Sequence, residues 1–327
     1  MFMRRSFTVA LTAALGLGVT ACGSENGRTD DGRVQTLASF YPMQYALERI
    51  GGPDVTVKNL TKAGQEPHDV ELTPRQVASV ADARLIVYAK GFQASVDDAV
   101  ASSAKAGRAL DVSPQADLDL TAEEEGHHDE SEHEHASHAG GSDPHFWLDP
   151  VRYKAVVQAI GDRLAKDDPE HADGYHTRTA SLVKDLDALD AEYRGGLAHC
   201  TNRTIVTGHE AFAYLAARYG LTQRGASGVS PEAEPTPAQL SSISDYVKKN
   251  KVTTIYAETL VSPKVAQTIA SQTGARVDVL GDEGLPQALG EDEGQPAGFG
   301  LLVLGHVPHQ AVGVEKFGSH VGQSGRQ

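Results

Sequence analysis

Residues Glu123–Asp149 read EEEGHHDESEHEHASHAGGSDPHFWLD. In the first part His127, His128, His133, His135 and His138 stand among acidic residues with no apolar side chain larger than alanine. Such a tract cannot bury enough surface to order itself, and is expected to be a solvated loop that attracts metal ions weakly and fluidly. From Asp143 the composition changes to Asp143-Pro-His-Phe-Trp-Leu-Asp149, where a lone His145 lies between Pro144 and an apolar run. That half reads as an ordered site. The long loop ends where the ordered chain resumes, and strands alternate with helices on both sides of it.

Upstream, short β-branched runs predict strands at Val34–Ala38, Val55–Leu60, Leu85–Tyr88 and Ala109–Val112. Between them helices are expected at Pro42–Ile50, from Thr73-Pro74 onward and at Phe92–Lys105. Downstream, Tyr153, Val156, Val157, Ile160 and Leu164 mark a helix. Asp168-Pro169 opens a longer one whose stripe is Tyr175, Leu182, Leu186, Leu189, Tyr193 and Leu197. A second alternating block has strands at Thr204–Thr207, Leu221–Arg224, Val252–Ala257 and Val277–Leu280. Its helices are expected at Glu210–Tyr219, Ala238–Lys249 and from Ser262-Pro263 to Gly274.

Repeated βαβ order implies parallel sheets covered by helices. The fold class is α/β: two lobes, each a four-stranded mainly parallel sheet flanked by helices, joined by a long rigid linker helix. The expected division is 34–165 for the first lobe with the His/acid-rich loop at 121–143, 166–200 for the linker helix and 201–282 for the second lobe. After Leu280 the periodicity fails, and 283–327 is expected to be an irregular tail despite the apolar Leu301–Leu304.

The 327 residues suffice for two ordinary domains, and a formal net charge of −15 excludes a nucleic-acid surface. Arg4 and Arg5 precede an apolar stretch, Phe7–Val19, that is too short to span a bilayer and ends in Val19-Thr20-Ala21-Cys22. This resembles a bacterial lipobox: residues 1–22 are read as a signal peptide, Cys22 as the lipid attachment site and 23–33 as a flexible tether. The protein is then extracytoplasmic and lipid-anchored to the cell membrane. Cys200 is the remaining cysteine and is expected to be structural and half-buried; an internal disulfide is excluded.

In open α/β sheets ligands bind beyond the carboxyl ends of the strands. His68 follows the second strand, His145 the fourth and His209 the fifth, while Asp282 and Glu283 follow the last. All fall on one edge, two from one lobe and the rest from the other, which describes a cleft. Three imidazoles plus a carboxylate or water suit Zn2+ best, and Mn2+ less. Ligation requires neutral imidazoles, so affinity is expected to fall as pH approaches about 6.5. Glu66, Asp69 and Asp149 are candidates to fix ring orientation. His171, His176 and His199 read as surface residues. His209-Glu210 begins a His-Glu-x-x-His pattern, but position 213 is Ala, which removes the metalloprotease reading.

Three segments carry a resemblance to a known family. Glu66-Pro-His-Asp-Val-Glu71 with Thr73-Pro74, Asp143-Pro-His-Phe-Trp-Leu-Asp149 with Pro150, and Thr207-Gly-His-Glu-Ala-Phe-Ala-Tyr214 resemble, in order, the ligand motifs of the zinc and manganese solute-binding proteins of ABC importers. Glu234-Pro-Thr-Pro237 and Glu258-Thr-Leu260 are also similar to family segments. The resemblance covers about residues 34–280. It implies a monomeric extracytoplasmic receptor that captures Zn2+ between two lobes and delivers it to a permease and its ATPase, without chemistry of its own. It carries His68, His145 and His209 over as ligands, and a histidine at the third position implies zinc. The family continues from the last strand with an Asp-Pro-Leu-like turn bearing a carboxylate ligand and then a helix. This chain reads Gly281-Asp-Glu-Gly-Leu-Pro286 instead. Asp282 lies near the expected place but outside the expected turn; it is the candidate fourth ligand, with Glu66, Glu283 or water as alternatives. Two other functions compete: a secreted metal-buffering or adhesion lipoprotein working through the His-rich tract, and a zinc hydrolase, for which Glu210 is the nearest general base.

Overall fold

The computed structural model describes residues 27–120, 142–200, 202–231 and 234–280. The lipobox with Cys22, the tract with its five histidines, Asp282, Glu283 and the tail lie outside the described residues. Among those described, no helix is long and apolar enough to cross a membrane.

Among the described residues, eight strands form two four-stranded sheets. The first holds β1 (Val34–Ala38), β2 (Val55–Asn59), β3 (Leu85–Tyr88) and β4 (Ala109–Asp111) in the order β2-β1-β3-β4. The second holds β5 (Thr204–Thr207), β6 (Thr222–Gly225), β7 (Thr254–Glu258) and β8 (Arg276–Leu280) in the matching order β6-β5-β7-β8. Every pairing is parallel. In both sheets the strand order reverses direction at the middle pair, β1/β3 and β5/β7, which is where such sheets open a crevice.

The helices are α1 (Tyr41–Gly51), α2 (Pro74–Asp82), α3 (Ala94–Ser103), α4 (Ser113–Ala116), α5 (Pro150–Asp167), α6 (Ala172–Leu197), α7 (Ala213–Tyr219), α8 (Pro237–Lys249) and α9 (Lys264–Thr273). The lobes repeat one device. Thr73 caps α2 and exchanges hydrogen bonds with Gln76, and Thr236 caps α8 and does the same with Gln239; a proline holds the first helical position in each. Each box satisfies two backbone donors that a helix start leaves open. The Gln76 amide nitrogen also donates to the Leu60 carbonyl at 2.7 Å, which ties α2 back to the end of β2.

Among the described residues, three apolar clusters hold the fold together. Leu37, Leu60, Val80, Ile86 and Val96 pack α2 and α3 on one face of the first sheet. Val206, Ile243, Val247, Ile255 and Ile269 pack α8 and α9 on the second. The largest cluster joins the lobes: it runs from Val34, Leu47 and Leu85 through Tyr153, Ile160, Tyr175, Leu182 and Leu186 to Phe212, Tyr214 and Tyr219. The predicted stripe of α6 is buried except Leu197, which is half-buried.

The long helix differs from expectation at its start, where Asp168-Pro169 opens a 3-10 turn, Pro169–His171, before α6 begins at Ala172. Its expected stripe packs on α5 and α1 within the joint core. Gly161 of α5 makes the approach possible, because a Cβ there would collide with the Thr179 side chain of α6. The helix α7 begins at Ala213, three residues later than the pattern suggests. The backbone N–H of Glu210 donates to the Gly228 carbonyl at 2.9 Å and that of Phe212 to Gln223 Oε1 at 2.9 Å, so tertiary bonds hold the segment that precedes the helix.

Candidate metal centre

His68 lies in the loop between β2 and α2. Gln93, 2% exposed at the start of α3, donates its amide to the Pro67 carbonyl at 2.9 Å and to Thr61 Oγ1 at 3.0 Å, which fixes the loop from beneath. Glu66 Oε2 accepts the backbone N–H of His68 at 2.8 Å and of Asp69 at 3.3 Å. The imidazole meets the Phe92 ring edge-on at 4.7 Å between centroids.

His145 precedes a 3-10 turn, Phe146–Leu148, whose three side chains are buried. Asp143 Oδ1 accepts the His145 backbone N–H at 2.9 Å and lies 2.7 Å from Nδ1. A carboxylate only accepts, so Nδ1 carries the proton and Nε2 keeps its lone pair.

His209 comes two residues after β5. Thr207 Oγ1 and Gln223 Nε2 both donate to its carbonyl, at 2.6 and 3.0 Å. Glu258 Oε1 accepts the His209 backbone N–H at 2.9 Å and lies 3.2 Å from Nδ1. The strand register explains the pair: Val206 is opposite Ile255 and Thr207 opposite Tyr256, so two residues further His209 reaches Glu258. Gly208 lets the carboxylate in, because any Cβ there would strike Glu258 Oε2.

The three histidines converge, each offering a ligand nitrogen within 4.8 Å of the other two. The Nε2 atoms of His68 and His145 are 3.1 Å apart. Tetrahedral zinc with Zn–N bonds of about 2.0–2.1 Å separates its nitrogens by about 3.3 Å, so the spacing fits that ion. His145 and His209 are each 2% exposed, and the His68 side chain is 12% exposed. Burial, followed by the neighbouring His145 and His209, lowers the His68 pKa to about 2. Burial also lowers that of His145, against the opposing pull of Asp143. The weakening expected near pH 6.5 moves to lower pH, because desolvation favours the neutral, ligating form of both imidazoles.

The acids expected to orient the rings are corrected too. Asp149 instead caps α5, accepting the Val151 N–H at 2.9 Å, and pairs with Arg218 and Arg152. Asp69 is exposed. Glu66 holds the His68 backbone, and its Oε1 is 4.0 Å from Nε2, the ligand side of the ring. Asp143 and Glu258 do the orienting. A signal for Asp143 was available in Asp-Pro-His, where an acid two residues before the histidine can reach its N–H. Glu258 is the single acid ending the otherwise uncharged Thr254–Glu258, but its partner is legible only once β5 and β7 are paired. His176 and His199 are exposed, as expected; His171 is exposed and bonds Asp168 through Nδ1 at 2.8 Å. Cys200 is a half-buried free thiol.

A family model described as ZnuA, zinc-uptake complex component A, periplasmic, matches residues 37–292. The zinc-binding lipoprotein AdcA of Streptococcus pneumoniae (strain TIGR4) is 34% identical over 279 residues, 84% of this chain and 55% of that protein. The chain thus spans about half the length of the first such relatives. The high-affinity zinc uptake system protein ZnuA of Bacillus subtilis is 34% identical over 295 residues, 89% of this chain and 91% of the relative. Among solved structures, the Zn(II)-bound ZnuA-like domain of Streptococcus pneumoniae AdcA superposes with a TM-score of 0.65 at 31% identity, covering 82% of this chain and 95% of that domain. By the family match, the identity and the shared two-sheet architecture, this chain belongs to the family of periplasmic A components of zinc-uptake complexes.

Proposed function

We propose that this protein is an extracytoplasmic receptor that takes up one Zn2+ on His68, His145 and His209 and hands it to an ABC permease driven by its ATPase. The observation that carries the reading is the convergence of three imidazoles, from two loops of one lobe and one of the other, to within 4.8 Å. Zinc is cargo here. A set of neutral nitrogen donors at this spacing suits it better than Mn2+, which favours carboxylates. Of the candidates for the fourth position, Asp282 lies outside the described residues, and we take water, since Glu66 Oε1 lies on the same side of His68 to accept from it. The receptor is monomeric and held to the membrane through a lipid on Cys22. The buried lobe junction favours small lobe movements over wide hinge closure.

Among the described residues, Asp143 and Glu258 are engaged in holding His145 and His209 in place, and the family is one of uptake receptors, so binding is favoured over hydrolysis. Calorimetry on His68→Ala, His145→Ala and His209→Ala tests the site. Each is expected to lose tight zinc binding; undiminished binding in all three contradicts the reading.

A further inference from the structure

The C-terminal lobe supplies more than a ligand. Five residues after His209, on α7, Tyr214 is 1% exposed and its hydroxyl donates to the backbone carbonyl of Asp143 at 3.0 Å. Asp143 is the residue whose carboxylate holds His145 Nδ1. The other side of the same peptide region is fixed by the Asp143 N–H, which donates to the Leu120 carbonyl at 2.9 Å. The Tyr214 ring is held in turn: the Arg152 guanidinium lies over it at 4.4 Å from the centroid. That guanidinium also bonds the Ala116 carbonyl at 3.1 Å and Asp119 Oδ1 at 2.6 Å. Arg218, one turn along α7, pairs with Asp149 at the start of α5. Burial raises the Tyr214 pKa to about 12, so the phenol remains a donor at any ordinary pH.

One short segment, Thr207–Tyr214, therefore carries the third histidine and also grips the residue that aims the second. We infer that Tyr214 is a positioning residue for His145: the Tyr214 hydroxyl, through the Asp143 carbonyl, makes the orientation of the His145 ring depend on the seating of α7 against the first lobe. The hydroxyl touches neither the ion nor an imidazole. Its effect passes through Asp143, and lobe contact and metal affinity become two readings of one arrangement. This rests on the zinc-receptor reading above.

The test is zinc affinity of the full chain by competition with a chromophoric chelator, beside the visible spectrum of the Co2+-loaded protein. Loss of an outer-shell partner of a ligating histidine typically costs about 10- to 100-fold. Tyr214 stands one bond further out, and Tyr214→Phe is expected to weaken zinc about 5- to 10-fold, through faster release, and to shift the Co2+ bands. Arg152→Gln, which keeps the hydroxyl, is expected to shift the same bands by less. Combined with Asp143→Asn, the Tyr214→Phe effect should largely vanish, whereas combined with Glu258→Gln it should multiply. Unchanged affinity and spectrum in Tyr214→Phe, or full multiplication with Asp143→Asn, overturns the inference alone. Failure of the unsubstituted chain to bind zinc overturns the receptor reading with it.

Discussion

Glu66-Pro67-His68 and Asp143-Pro144-His145 are the same turn built with acids of different length. In both, the carboxylate accepts the backbone N–H of the histidine two residues on, at 2.8 Å for His68 and 2.9 Å for His145. The shorter Asp143 uses the same oxygen to meet Nδ1 at 2.7 Å, so it locks the ring. The longer Glu66 spends one oxygen on two backbone donors and leaves the other 4.0 Å from His68 Nε2. One methylene thus separates a ring-orienting acid from one that lies on the Nε2 side of its histidine. His209 obtains the Asp143 arrangement by another route, since its acid, Glu258, comes from the neighbouring strand. Two of the three imidazoles are aimed by a carboxylate, and the third is held by its loop and by Phe92.

The comparison breaks most visibly at the ligands. A bound zinc is worth about 10–16 kcal/mol in favourable sites, so one of four donors accounts for about 3–4 kcal/mol. His145→Ala should therefore weaken zinc by about 10²- to 10³-fold in a competition titration.

Next is acid sensitivity of the metal-free protein. His68, with a pKa lowered to about 2, stays neutral while the unfolded chain takes up protons below about 6.5, and His145 is shifted in the same direction. The unfolded state binds more protons there, so stability falls as pH drops, by up to about 1.4 kcal/mol per pH unit for each histidine. Urea unfolding at pH 7.5 and 5.5 should show it, and His68→Asn should remove one share of the slope. An unaltered slope in that variant would mean that His68 is not buried as a neutral ring.

The two acids then separate. Asp143→Asn should cost about 10- to 100-fold in zinc affinity, as loss of an orienting acid does. Glu66→Gln should cost about threefold, or about 0.7 kcal/mol. A loss in Glu66→Gln as large as that in His145→Ala would make Glu66 the fourth ligand in place of water.

Much of this was legible in the chain. The two blocks of alternating runs give both sheets, because parallel strands buried on both faces read as apolar segments between helices. The strand-end rule alone gathers His68, His145 and His209 on one edge. What escaped depends on partners distant in sequence. Glu258 orients His209 only through the β5–β7 pairing, which is invisible before the strand order is known. Asp149, expected to orient a ring, closes the apolar run that Asp143 precedes, yet the intervening 3-10 turn carries it to the start of α5 and to Arg218.

The sharpest test separates the triad from the His-rich tract. X-ray absorption on the zinc-loaded chain lacking residues 121–141 should find one tightly held ion with three imidazole nitrogens at about 2.0 Å and one oxygen. Loss of the tight zinc on that deletion, or a coordination shell with fewer than three imidazoles, would contradict the assignment of the cargo to His68, His145 and His209.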